Sequence, residues 1–176
     1  EGGADAGSIC EVEIHDANSN EMILVDVQVQ RVIAQYRGRY PTIDIDFTGG
    51  CADDYLSIDP NHLGVILGNL LENSLEKLKG CGGQVCITTR GCEREVLINI
   101  RDHGPAMNAE VWEQYLMQTI DTPGSEAGRG NGGLMAHGFA IIAGGSIDKI
   151  ANASDRVELE IHLPLHARRP GEGAKV

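Results

Sequence analysis

The sequence has no long apolar run, no excess of basic charge and no paired-cysteine motif, and each absence removes a class of function. No stretch of its 176 residues approaches the roughly 18–20 consecutive apolar residues that cross a bilayer. No secretory leader is legible at Glu1. Lys and Arg number 14 against 26 Asp and Glu, a formal net charge of −12. An acidic surface of that size argues against nucleic acid and anionic membrane as partners. It leaves phosphate ligands open, because backbone N–H groups and metal ions bind phosphate as well as cations do. Cys10, Cys51, Cys81, Cys86 and Cys92 contain no Cys-x-x-Cys pair and lack the spacing of a common zinc site. Reduced thiols in a cytoplasmic protein are the simpler reading. No repeat of 20–50 residues and no Ser/His/Asp or Cys/His arrangement can be argued from spacing.

What is present is ordinary globular material, with 41% hydrophobic and 23% charged residues. Residues 1–21 read as a linker or a remnant of an upstream region, in which Ile9 to Ile14 alternates like a strand. Val29, Val32, Ile33 and Tyr36 mark a helix, with Asp26 as its expected N-cap. Thr42 to Phe47 and Tyr55 to Ile58 read as strands. Asp59-Pro60 opens a long helix that Gly80-Cys-Gly-Gly83 stops. Gln84 to Arg90 and Glu95 to Arg101 are adjacent strands, and Asn108 caps a short helix carrying Val111, Trp112, Tyr115 and Leu116. Residues 119–132 read as a mobile loop, Leu134 to Ala143 as a helix, and Gly145 to Ile150 and Val157 to Leu163 as closing strands. Pro164 is expected to end the fold, with 166–176 a disordered tail. Strands and helices mix without strict alternation. The expected class is therefore α+β, a two-layer sandwich whose mixed sheet is covered on one face by helices.

The most informative stretch is the helix 60–79. Leu63, Ile66, Leu67, Leu70, Leu71, Leu75 and Leu78 recur at three and four, which makes one apolar face. Asn69 and Asn73 sit one turn apart on a neighbouring stripe, with Glu72 beside them. Such an edge is either a solvated polar stripe or a set of oxygens for a hard cation such as magnesium, which takes one or two protein oxygens and leaves the rest to water and phosphate. About thirty residues on, the apolar run Leu97-Ile-Asn-Ile leads into Arg-Asp102-His-Gly104. After a polar gap comes Gly128-Arg-Gly130-Asn-Gly132-Gly133-Leu134, entering an apolar helix. Glycines bring backbone N–H groups to bear on phosphate, and a helix start adds partial positive charge.

With these three boxes in this order, residues 22–165 resemble the ATP-binding catalytic domain of sensor histidine kinases, in the superfamily with gyrase, heat-shock chaperone and mismatch-repair ATPases. Ile-Leu-Gly-Asn-Leu-Leu-Glu-Asn-Ser-Leu-Glu (66–76) is especially similar to the branch of citrate and fumarate sensors. The resemblance implies ATP and magnesium as cofactors, with Asn73 as the metal ligand and Asn69 facing the same phosphates. It implies Glu72 as the carboxylate that polarises an accepting histidine; the alternative is a solvated helix carboxylate. Relatives carry a basic residue three after the magnesium Asn. Here that position is Glu76 and Lys77 follows, so either Lys77 swings in toward the phosphates or no cation reaches them from this helix. Asp102 would accept a hydrogen bond from the adenine amine, and Gly104 would admit the base. Ala106 stands where the family has a second glycine, and Gly138 and His137 depart from the pattern of the last helix. Gly128, Gly130, Gly132, Gly133 and Leu134 would close on the nucleotide.

The resemblance also implies partners: a histidine phosphoacceptor and dimerisation domain, a response regulator, and a full-length homodimer with any membrane anchor outside this fragment. None of His15, His62, His103, His137, His162 and His166 sits on a long amphipathic helix of the kind that carries the accepting histidine. Two alternatives stay open: a degenerate scaffold of the same fold, and a serine kinase or ATPase of the same superfamily.

Overall fold

The computed structural model describes residues 21–117 and 131–168. The expected strand at Ile9 to Ile14, most of the expected loop at 119–132 and the end of the expected tail lie outside these residues. In chain order the elements are β1 (Glu21–Leu24), α1 (Val25–Arg37), β2 (Ile43–Thr48), β3 (Asp54–Ile58), α2 (Pro60–Leu78), β4 (Gly83–Gly91), β5 (Glu95–Asp102), α3 (Ala109–Gln114), α4 (Gly132–Ile142), β6 (Ser146–Ala153), β7 (Arg156–Pro164) and β8 (Ala167–Arg168).

Five strands form one sheet in the order β2-β4-β5-β7-β6. β2 runs parallel to β4 and the other pairings are antiparallel, so the sheet is mixed as expected. Period-two alternation assigns its faces. Val85 and Ile87, Val96, Ile98 and Ile100, and Val157, Leu159 and Ile161 point inward and are buried. Their neighbours Thr88, Asn99, Glu158 and Glu160 point away. The buried face of α2 (Leu63, Ile66, Leu67, Leu70, Leu71, Leu75, Leu78) packs over the inward side, flanked by α1 and α4. α1 approaches α2 closely at Gly68, whose carbonyl accepts from Tyr36 Oη at 3.3 Å. The α+β two-layer class is borne out.

The local signals around α2 act as the sequence suggests. Asp59 caps it by accepting from Asn61 N at 2.8 Å, Pro60 takes the first position, and Gly80 and Gly82 turn the chain out at φ +89° and +72°. The borders of the domain move outward from 22–165. β1, β3 and β8 form a second, three-stranded sheet, in which Glu21 pairs with Ile58 and Ala167 with Tyr55. The pairing thus continues past Pro164 into the segment expected to be disordered.

Three further expectations change. Asp26 is not an N-cap, since the helix already starts at Val25. Its carboxylate is buried and accepts from Thr89 Oγ1 at 2.5 Å and Cys51 N at 3.1 Å, a tertiary role that overrides capping. α3 ends at Gln114, so Tyr115 and Leu116 leave the helix, with Leu116 in the left-handed region at φ +75°. α4 begins at Gly132, which puts Gly132 and Gly133 in its first turn rather than in a loop.

Candidate functional site

The helix period brings the site together. Asn69, Asn73 and Lys77 are spaced four apart on α2 and share one stripe, about 12 Å long from end to end. One end of that stripe meets the start of α4, and the other meets Asp102 at the end of β5.

At the α4 end, a Cβ placed on Gly132 would lie 3.0 Å from Asn69 Oδ1 and 3.5 Å from Asn73 Nδ2. The absence of a side chain there lets the start of α4 sit directly on the two amides. Asn69 Nδ2 donates to Val65 O at 2.8 Å, and Asn73 Nδ2 donates to Tyr115 Oη at 2.8 Å. Each amide thus commits its nitrogen to the protein and keeps its oxygen as the hard donor. Tyr115 is fixed from the other side by α4, since a Cβ on Gly133 would stand 2.9 Å from its ring. Burial pushes the Tyr115 hydroxyl up to about 12, the nearby Asp102 charge adds to the rise, and the Asn73 hydrogen bond opposes it. The first N–H groups of a helix have no partner within it, and here that first turn lies against the two amides. Leu134 is half-buried in the same turn, and Asn131 Oδ1 is buried with no hydrogen-bond partner among the described residues. Gly128 and Gly130 lie outside the described residues.

At the other end, Asp102 is 1% exposed and Lys77 reaches it with Nζ 2.6 Å from Oδ1 and 2.8 Å from Oδ2. Gly104 N donates to Oδ1 at 3.0 Å. A Cβ on Gly104 would lie 3.0 Å from Lys77 Cε, Asp102 Oδ1 and Leu78 Cδ2, so a side chain there would press on all three. Lys77 therefore points along α2 to the carboxylate, away from the α4 end. Ala106 is exposed, and its methyl does not fill this corner.

Glu72 lies off the stripe. Its Oε1 pairs with Arg39 Nη2 at 3.1 Å, beside a groove of about 500 Å³ lined by residues of α1 and α2 that include Arg31, Tyr36, Gly68 and Asn69. Glu76 accepts from Tyr40 Oη at 2.6 Å and is turned from the stripe as well. A larger cavity of about 670 Å³, lined by Arg94, Glu95, Ser146 and His162, sits at the opposite end of β5 from Asp102. It holds none of the nucleotide-site residues expected from the sequence. His62 packs its ring on Phe139, with centroids 4.6 Å apart, which gives it a structural place in the α2–α4 contact.

Sequence reading missed Tyr115, Asn131 and Arg39 as members of this region. Tyr115 and Asn73 are 42 residues apart and Arg39 and Glu72 are 33 apart, and no local pattern reports such pairings.

Residues 58–176 match the family model described as "Histidine kinase-, DNA gyrase B-, and HSP90-like ATPase". The signal transduction histidine-protein kinase AfsQ2 of Streptomyces coelicolor is 31% identical over 172 residues, covering 94% of this chain and 31% of that protein. The sensor histidine kinase component HK1 of Mycobacterium tuberculosis is 29% identical over 133 residues, covering 72% of this chain and 75% of that protein. The chain thus spans about a third of the first relative and three quarters of the second. Among solved structures, the catalytic domain of histidine kinase ThkA superposes with a TM-score of 0.71 at 20% identity, covering 82% of this chain and 94% of that one. The mycobacterial sensor histidine kinase MprB gives 0.69 at 20% identity, covering 82% and 98%. The fold is theirs, and with a family model matched over more than half its length the chain belongs to the histidine kinase-, gyrase B- and HSP90-like ATPases, as an ATP-binding catalytic domain of the sensor histidine kinase type.

Proposed function

We propose that this chain binds magnesium-ATP along the α2 stripe and, within the whole protein, presents the γ-phosphate to a histidine on a separate phosphoacceptor domain. The observation that carries the reading is the stripe itself, which joins a helix N-terminus to a buried carboxylate across about 12 Å, a span suited to a nucleoside triphosphate. The base lies at Asp102 and Gly104, with the Asp102 carboxylate accepting from the adenine amine. The phosphates lie between the start of α4 and the amides of Asn69 and Asn73, where unpaired helix N–H groups favour anions.

The donor set fits magnesium. The Asn73 and Asn69 amide nitrogens are already bonded to protein, so neutral oxygens are what they offer a hard cation. Asn73 Oδ1 is the proposed ligand. When bound, the metal offsets phosphate charge. The residues of this chain hold and orient, which is most of what phosphoryl transfer asks of a protein. Glu72, at the surface beside the groove, is the proposed carboxylate facing the accepting histidine. Gly128 and Gly130 are proposed to close over the phosphates. The accepting domain, homodimerisation and any membrane anchor are proposed for the whole protein, with a response regulator as its proposed partner. Among the described residues no helix is long and apolar enough to cross a membrane.

Asn73→Ala tests the reading. The variant should keep its fold, since Ala is the better helix former. It should lose magnesium-ATP affinity by at least the roughly 10–100-fold that weaker outer contacts to a metal site carry. Titration calorimetry with magnesium-ATP measures this, and parental affinity in the variant would remove Asn73 from the site.

A further inference from the structure

The Lys77–Asp102 pair has hydrogen-bonding capacity left over, and its arrangement matches one particular ligand edge. A carboxylate offers about four lone-pair sites and an ammonium three N–H groups. Asp102 Oδ1 accepts from Gly104 N and lies 2.6 Å from the Lys77 ammonium, whereas Oδ2 accepts from Lys77 Nζ alone. One lone pair therefore remains on Oδ2. Lys77 turns at most two of its three N–H groups to the carboxylate and keeps at least one. A free donor and a free acceptor stand side by side on atoms 2.8 Å apart. The Watson–Crick edge of adenine presents the complement, an amine donor at N6 next to an acceptor at N1.

We infer that Lys77 stays on Asp102 when nucleotide binds and donates its third N–H to adenine N1, so that the pair reads the base edge as a unit. The inference rests on the assignment of the base to Asp102. It makes Lys77 a specificity-determining residue at the base end of the cleft. The packing supports a lysine held in place: Lys77 Cε passes within 3.0 Å of where a Cβ on Gly104 would stand, and Lys77 is only 16% exposed. A lysine serving phosphate would have to abandon a buried carboxylate and run back along α2 toward Asn73.

Two analogues separate this inference from the reading beneath it. 1-Deaza-ATP replaces N1 by C–H, and purine riboside triphosphate lacks the N6 amine. Binding of the magnesium salts of both analogues and of ATP to the unaltered chain is compared by calorimetry. The expected result is that both analogues bind weaker than ATP by about tenfold to a hundredfold, the worth of a hydrogen bond to a charged group. In Lys77→Met, ATP should fall to the level of 1-deaza-ATP and the two should bind alike. The unaltered chain alone already decides the matter if that variant fails to fold. Weak purine riboside triphosphate together with 1-deaza-ATP as tight as ATP overturns the role of Lys77 and leaves Asp102 in place. Equal binding of all three, or binding of none, overturns both.

Discussion

Two ion pairs leave the same helix five residues apart and differ in nearly everything else. Glu72 meets Arg39 at 3.1 Å with side chains 42% and 58% exposed, whereas Lys77 meets Asp102 at 2.6 Å with side chains 16% and 1% exposed. In the first, water screens the charges, and such a pair is worth about 0–1 kcal/mol. In the second, both charges have been largely withdrawn from water, so each depends on the other. The contrast separates two jobs on one helix. A surface pair can open without cost to the fold and suits a carboxylate that must meet another domain. A buried pair is a fixed fitting and suits the recognition of a base.

The largest expected effect breaks the buried pair on one side. Asp102→Ala leaves the Lys77 ammonium beside Leu78 and Gly104 without its carboxylate, and such half-removals cost about 3–5 kcal/mol. Because Lys77 keeps 16% of its side chain in water, the lower end of that range is expected. Replacing both partners, Lys77→Met with Asp102→Leu, should recover most of the loss, since an apolar pair restores packing with no stranded charge. Urea unfolding of the three proteins measures it. A single-variant loss below about 1 kcal/mol would place this pair in the same class as Arg39–Glu72.

The next effect sharpens the comparison through groups whose protonation the fold controls. Burial pushes the Tyr115 hydroxyl from 10.0 up to about 12 and the Cys51 thiol from 9.0 up to about 12. For Tyr115 the Asp102 charge adds to the rise; for Cys51 the hydrogen bond to Asp54 adds to it. Both shifts favour the neutral form in the folded chain. The stability they supply is complete below the unfolded values and is lost as pH rises through the folded ones. Stability should therefore be level up to about pH 9 and fall toward pH 12. Tyr115→Phe should make the fall above pH 10, to which the raised Tyr36 and Tyr40 hydroxyls also contribute, shallower, at a cost of about 1 kcal/mol at neutral pH for the unpartnered Asn73 amide. Unfolding curves taken at intervals from pH 8 to 11 test this, and an unchanged slope in the variant would mean that Tyr115 titrates as in the open chain.

The same contrast explains what was readable in advance. Asp59-Pro60, the leucine periodicity and Gly80 to Gly83 are local signals, and α2 lies where they put it. β4 and β5 likewise follow from alternation within a single stretch. The three boxes give the residues proposed for the cleft, and the stripe Asn69, Asn73, Lys77 follows from helix geometry alone. The partners do not, because each is chosen by a distant segment. Asp26 reads as a cap until Thr89, 63 residues away, is seen to claim it. Tyr115 reads as one more apolar-face residue until Asn73 is found on its hydroxyl. For Lys77 the sequence leaves open whether it swings to the phosphates, and only the end of β5 shows it on Asp102. β8 is two residues long, too short to carry any pattern of its own, and exists because β3 offers it an edge.

The smallest expected effect is at the exposed pair. Arg39 sits over the rings of Tyr36 and Tyr40, 5.3 and 5.8 Å from their centroids, as well as beside Glu72. Exposed cation–π contacts are worth about 0.5–1 kcal/mol and exposed ion pairs about as much, but an arginine held by several weak contacts also gives up side-chain entropy to keep them. These terms nearly cancel, so Arg39→Ala should shift unfolding free energy by no more than about 0.5 kcal/mol. Magnesium-ATP affinity should stay at the parental value, because Glu72 pairs with Arg39 on the groove side of α2, whereas the proposed nucleotide contacts Asn73 and Lys77 turn to Tyr115 and Asp102. A loss above about 1 kcal/mol would show that the pair is as interdependent as Lys77–Asp102. A drop in ATP affinity would place Glu72 among the nucleotide contacts and erase the division of labour along α2.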